Sequence, residues 1–148
     1  MKIEKYEEFE KRLKEKFPVM FAEPYGGICV DEGWWTIVEA LCGQIDVYTK
    51  WRNNTRNDRL KNNPNNLPIP EEVDPVIVTQ IKEKFGGLRF YYDGGDDKID
   101  GMVRMAEEWA DHTCEQCGNP GKQRHGGWIK TLCDDHELER QAKMIRGS

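Results

Sequence analysis

Val76-Ile77-Val78-Thr79-Gln80-Ile81-Lys82-Glu83-Lys84-Phe85-Gly86-Gly87-Leu88-Arg89-Phe90-Tyr91-Tyr92 reads as a β-hairpin. A β-rich run meets two glycines, which supply the positive φ of a tight turn, and a second run rich in aromatic residues follows. With Gly86 and Gly87 as the turn, Phe85 faces Leu88, Glu83 faces Phe90 and Ile81 faces Tyr92. One side then carries Ile77, Ile81, Phe85, Leu88, Phe90 and Tyr92, with Glu83 as its one charged member, and is expected to face the core. The other side carries Gln80, Lys82, Lys84, Arg89 and Tyr91, a basic strip with one aromatic that should meet solvent or a ligand.

Helical periodicity surrounds this hairpin. Tyr6, Phe9, Leu13 and Phe17 recur at steps of three and four, one stripe of an amphipathic helix over residues 2–17 that Pro18 ends. Its acids (Glu4, Glu7, Glu8, Glu10) lie early and its bases (Lys11, Arg12, Lys14, Lys16) late, as the helix macrodipole favours. Residues 21–30 hold Pro24 and paired glycines and read as a loop with a short strand. From an N-cap at Asp31, the residues Trp34, Ile37, Val38, Leu41, Cys42, Ile45 and Tyr48 repeat at helical spacing to about Trp51. Residues 52–70 combine a net charge of +3 with seven Asn and three Pro, which predicts a long surface loop, mobile until a ligand orders it. After the hairpin, Asp96 or Asp97 caps a third helix with the seam Ile99, Met102, Val103, Ala106 and Ala110. Helix, helix, hairpin, helix and a cysteine-rich end predict an α+β fold, helices packed on an antiparallel hairpin or small sheet, rather than βαβ units.

The 148 residues suit one compact body over residues 1–112 with an appendage over 113–148. The net charge of −5 argues against a generic phosphate-coating surface, so nucleic acid is not favoured and any such role needs a local basic patch. Charge is uneven: residues 51–92 sum to +2 and residues 93–113 to −5. No apolar run approaches the ~20 residues that span a bilayer, and Met1-Lys2-Ile3-Glu4-Lys5 lacks a secretory apolar region, so a cytoplasmic protein without membrane contact is expected.

Cys114-Glu115-Gln116-Cys117 and Cys133-Asp134-Asp135-His136 form a C-x2-C-x15-C-x2-H pattern. Two i, i+3 pairs of soft or borderline donors are what tetrahedral zinc requires. Gly118-Asn119-Pro120-Gly121 turns the chain behind the first pair, Gly126-Gly127 introduces a second hairpin, and a helix running to Met144 starts at the second pair. Knuckle, hairpin and helix-borne ligands resemble the treble-clef family of zinc modules. Cys114, Cys117, Cys133 and His136 fill four positions and leave none for water, so the expected Zn2+ is structural rather than catalytic. A segment of about 35 residues buries too little surface to fold alone, and metal supplies the difference. Cys29 and Cys42 have no matching partners and read as small buried side chains.

For binding, the strip of Lys82, Lys84, Arg89 and Tyr91 offers cations for a phosphate and a ring for stacking, although an ordinary solvated sheet face looks the same in sequence. Trp34 and Trp35 cannot both face one core, and Trp34 is the candidate to line a pocket near Gly26, Gly27 and Glu32. His125 would be the general base of a nuclease, but the paired His and Asn positions of such folds are missing.

The string Lys82-Glu83-Lys84-Phe85-Gly86-Gly87-Leu88-Arg89-Phe90-Tyr91-Tyr92 stands between Gly33-Trp34, heading a helix through Leu41-Cys42, and the Cys117-Gly118-Asn119-Pro120-Gly121 knuckle. Taken whole, it resembles a family of small uncharacterised proteins of bacteria and phages, over most of residues 25–140. The resemblance implies a helix–hairpin–helix body followed by zinc and brings no activity or catalytic residues with it. The phage connection suggests a small inhibitor that sequesters a phosphorylated nucleotide or other anionic small molecule. Binding a host protein, as an adaptor or inhibitor, is the alternative, and a nucleic-acid-binding protein or nuclease the second.

Overall fold

The computed structural model describes residues 2–22 and 26–147, with the side chains of residues 2–4 outside the description. Its elements run α1 (Lys2–Lys16), β1 (Ile28–Cys29), a short 3-10 turn (Glu32–Trp34), α2 (Trp35–Lys61), β2 (Ile77–Lys84), β3 (Gly87–Asp93), α3 (Asp97–Asp111), β4 (Lys122–Arg124), β5 (Lys130–Leu132) and α4 (Asp134–Arg146). The fold is α+β. A three-stranded sheet of order β1-β2-β3 and a two-stranded β4-β5 ribbon accompany the four α-helices, with α3 packed on β3 and α2, and α4 beside β5. β2 and β3 are antiparallel, as the hairpin reading expects, and the short β1 adds a parallel edge with Ile28 beside Ile81. Glu23, Pro24 and Tyr25 of the expected 21–30 loop, and the Glu4 side chain of the α1 charge gradient, lie outside the described residues.

Of the expected stripe, Phe9 and Leu13 of α1 and Phe17 just after it are buried and Tyr6 is half-buried, and Phe9 stacks on Trp35 with ring centroids 4.7 Å apart. Glu39 of α2 receives Arg12 through two nitrogens at 3.1 Å and Lys16 at 2.9 Å, which fixes α1 along the first half of α2. α2 buries Ile37, Val38, Leu41, Cys42 and Ile45. Each large apolar side chain so enclosed contributes about 1.5–3 kcal/mol.

Two expectations about this region are corrected. α2 does not stop near Trp51 but continues to Lys61, a helix about 40 Å long. The chain after it forms a strap over residues 62–76 instead of a free loop, and the helix holds it. Asn53 exchanges hydrogen bonds with the backbone of Val73, Arg56 donates to the Pro70 carbonyl at 2.8 Å, and Arg59 donates to the Pro68 carbonyl at 2.6 Å. These side-chain to backbone bonds outweigh the few tenths of a kcal/mol by which each Asn disfavours a helix.

The hairpin register is also shifted. Phe85 and Gly86, with φ of 52° and 80°, are the turn, and Gly87 already pairs with Lys84. Positive φ at both central residues is the two-residue geometry that matches strand twist. The Glu83 carboxylate accepts from the Gly86 N–H at 2.7 Å and secures this choice. Ile81 therefore faces Phe90 and Glu83 faces Leu88, while Phe85 leaves the core for the tip, 68% exposed. A bulge between Val78 and Gln80 turns Val78 inward and leaves Ile77 only half-buried. The parity of the outer strip is unchanged. α3 starts at the expected cap, Asp96, whose carboxylate accepts from the Ile99 N–H at 3.0 Å, and Glu107 covers the open edge of β3 by accepting from the Phe90 N–H. No helix among the described residues is long and apolar enough to cross a membrane.

Candidate metal centre and basic hairpin face

The first pair of metal-ligand candidates lies on a tight turn. The Gly118 N–H donates to the Cys114 carbonyl at 2.9 Å, the Cys114 N–H donates to the Asn119 carbonyl at 2.7 Å, and Gly118 carries the positive φ of 82° that closes the loop. The second pair opens α4. Cys133 is its N-cap, with the sulfur accepting from the His136 N–H, so both side chains project from one helical turn. The β4-β5 ribbon joins the two pairs, so the order is tight turn, ribbon and helix.

Sulfur and nitrogen converge there. The donor atoms of Cys114, Cys117, Cys133 and His136 all lie within 4.8 Å of one another. His136 Nδ1 is 3.2 Å from Cys133 Sγ and 3.5 Å from Cys114 Sγ, and Cys117 Sγ is 3.8 Å from Cys133 Sγ. Tetrahedral bonds of about 2.3 Å to sulfur and 2.0 Å to nitrogen give edges of roughly 3.8 Å between sulfurs and 3.5 Å between sulfur and nitrogen. The four residues thus fit a tetrahedral metal through Nδ1. His136 Nε2, the nitrogen turned away from the cluster, lies 4.0 Å from the Glu139 carboxylate, beyond hydrogen-bond distance.

Local electrostatics favour thiolate at one sulfur and oppose it at another. Burial works against ionisation of Cys114, but N–H groups of Cys133, Cys117 and Gln116 point at its sulfur and bring its pKa below the ordinary value. Cys117 is pushed up to about 11 by desolvation and by the neighbouring Cys114 and Cys133 sulfurs. A cation among them reverses that penalty. Beside the site, burial raises Glu115 to about 7 although its carboxylate accepts from the Asp31 N–H at 3.1 Å.

The metal-ligand segment is bonded directly to the preceding body. Gly33 N–H donates to the Glu115 carbonyl at 2.7 Å, Trp34 Nε1 donates to the Thr113 carbonyl at 2.8 Å, and Thr131 Oγ1 donates to the Gly86 carbonyl at 2.7 Å. The sequence reading missed these links because each joins residues far apart in the chain. Trp34 is a correction in its own right: it is 0% exposed and cannot line a surface pocket. Its neighbour Trp35 does so, in a cavity of about 310 Å³ shared with Lys5, Tyr6, Asp31, Glu32 and His136. Cys42 is buried and its pKa raised by desolvation, whereas Cys29 is exposed at the sheet edge rather than buried.

On the outer sheet face Lys82 stands directly opposite Arg89, and Gln80 opposite Tyr91, with Cys29 beside Lys82. Lys84 lies over the Phe85 ring at 5.7 Å. The pairing thus puts Lys82, Lys84, Arg89 and Tyr91 on one surface. Asp111 at the end of α3 is the carboxylate facing Arg89; burial raises its pKa, and the guanidinium only partly offsets this. His125 sits in the β4-β5 loop, where its carbonyl accepts from Arg140. Among the described residues no acid, amide or second histidine hydrogen-bonds its ring.

Comparisons of the chain with protein-family models, with curated proteins and with solved structures find no match. What defines the class is therefore the architecture itself, an α+β protein with a four-donor Cys3His cluster near its C-terminus.

Proposed function

We propose that this is a non-enzymatic binding protein, stabilised by zinc, whose hairpin face takes a phosphorylated anionic ligand. The observation that carries the ligand reading is the direct cross-strand pairing of Lys82 with Arg89 on an outer face that also holds Lys84 and Tyr91. Two adjacent cations, one with the forked geometry of guanidinium, suit a phosphate, and the phenol ring beside them suits a base. Zinc is supported by the donor set: three sulfurs and one imidazole at tetrahedral spacing select zinc over hard cations. Bound there, the ion would supply a crosslink between the knuckle and α4, and four protein ligands leave it no position for substrate. Sequestering a phosphorylated nucleotide, the role that the sequence resemblance suggests, is one form such binding takes.

A thermal-shift panel of nucleotides and pyrophosphate tests the ligand. A stabilising shift lost in Arg89→Ala, with metal content unchanged, is expected. No shift with any anionic compound would remove this reading and bring forward the second one, docking to a protein. That alternative has its own observation, an apolar groove of about 370 Å³ between α2 and α3 in which Met105 (70% exposed) and Trp109 are open to solvent.

A further inference from the structure

The tips of the two hairpins abut. Gly86 in the β2-β3 turn lies so close to Ile129 that a β-carbon there would come within 3.0 Å of the Ile129 side chain. Thr131 donates to the Gly86 carbonyl and Gln123 donates to the Phe85 carbonyl at 3.2 Å, which locks the ribbon to the turn. The residues immediately before the touching pair are Phe85 and Trp128, and they are 68% and 88% exposed. Neither ring contributes to the core. Phe85 holds a φ of 52°, a left-handed conformation that disfavours a bulky residue. Trp128 follows two glycines of φ 97° and 96°, while its carbonyl is held at 2.6 Å by Arg140, itself planted on Glu137. A fixed backbone presenting a bare aromatic ring, twice at one place, is a preorganised contact surface.

The charges around the rings have a consistent arrangement. Lys84 adjoins the Phe85 ring, and Lys82, Arg89 and the 41%-exposed Tyr91 continue along the same face of β2 and β3; Lys122 lies exposed on the ribbon. Of the nearby carboxylates, Glu83 is on the opposite face and is engaged by the Gly86 N–H and by Lys130 at 3.8 Å. Asp134 is paired with Arg124, Asp111 faces Arg89, and Asp93 lies at the far end of β3. Cations therefore dominate the line from Tyr91 to the tips. The overall charge of −5 does not cancel this patch, because charges beyond about 8 Å are largely screened at physiological salt.

We infer that Tyr91, Phe85 and Trp128 form a stacking track for single-stranded nucleic acid, with Lys82, Lys84 and Arg89 taking its phosphates. The inference rests on the reading of the hairpin face as an anion site and extends that site across to the β4-β5 ribbon. From the position of Tyr91 to the Phe85 turn the strand covers about 17 Å, more than one nucleotide occupies, before Trp128 is reached. Unpaired bases stack on aromatic rings without sequence preference while a basic strip follows the backbone. A bilayer would engage the two tips alone, whereas Tyr91 lies back on the sheet face, and this favours a strand.

Fluorescence anisotropy of the full chain with a labelled oligothymidylate of about 12 nucleotides tests the track. Trp128→Ala and Phe85→Asn, the latter placing at positive φ a residue that accepts it, should each weaken binding about tenfold without changing metal content or lowering thermal stability. Lys84→Gln should lower the slope of log affinity against log salt by about 0.7. Pyrophosphate and thymidine triphosphate form the second arm. If they bind through Arg89 while the oligonucleotide binds no more tightly and ignores Trp128, the track is overturned and the anion site stands. If nothing binds, both fail. Trp128-dependent binding to phosphatidylserine-containing vesicles without oligonucleotide binding overturns the track in favour of a membrane surface.

Discussion

The N–H of Gly33 donates to the carbonyl of Glu115 at 2.7 Å, and the two backbones are so close that a side chain at residue 33 would overlap the carbonyl groups of Cys114 and Glu115. This contact joins the entrance of the longest helix to the metal-ligand turn. Gly33→Ala should therefore lower stability by about 1–3 kcal/mol, as overpacking against backbone does, and should weaken metal retention as well. Urea denaturation read alongside zinc release measures both; unchanged values would show that the junction yields freely.

If the four-donor cluster holds the proposed zinc, chelation should loosen residues 113–146 first, because structural zinc in small modules contributes an apparent ~10–16 kcal/mol. The loss should not stop there. The Gly33–Glu115, Trp34–Thr113 and Gly86–Thr131 bonds cross to the body, so hydrogen exchange after chelator treatment should also rise at residues 31–34 and 84–87. Protection equal with and without chelator would contradict the account.

Glu39 ties α1 to α2 through Arg12 and Lys16. The hydrogen bond from Arg12 lowers its pKa, burial works the other way, and Lys16 adds to the lowering. A folded-state pKa below the unfolded value gives stability that is present above the ordinary carboxylate range and lost as pH falls through the folded value. Glu39→Gln should cost about 0.5–1 kcal/mol at pH 7, the partners being half-exposed, and the gap from wild type should close on acidification. Parallel denaturation curves at descending pH check the sign.

Arg56 and Arg59 hold the carbonyls of Pro70 and Pro68. Replacing both with Ala should free the strap, shorten the helix from its C-terminus and open residues 62–75 to protease. Retention of full helicity and protease resistance would show that the strap is held by other contacts.

Features decided by nearby residues were legible in the sequence. The α1 stripe, the Asp96 cap and the spacing of Cys114, Cys117, Cys133 and His136 each depend on neighbours within one or two turns. Features decided by distant partners were not. The turn falls on Phe85 and Gly86 rather than on the two glycines; besides the Glu83 bond to the Gly86 N–H, its Phe85 and Gly86 carbonyls accept from Gln123 and Thr131 of the distant ribbon, and Gly87 is left to a paired position. The length of α2 depends on a strap that follows it, and the burial of Trp34 on a carbonyl nearly eighty residues away. Of the candidate ligand residues, the strand alternation that groups Lys82, Lys84, Arg89 and Tyr91 survived the register shift, since moving the turn by one residue on both strands keeps their parity.

Native mass spectrometry of the full chain, compared with Cys133→Ser, addresses the central claim, that four side chains hold one structural zinc. The account predicts one zinc per wild-type chain and little or none in the variant, accompanied by loss of protection at residues 113–146. A folded wild-type chain carrying no zinc, or a variant that retains it fully, would contradict it.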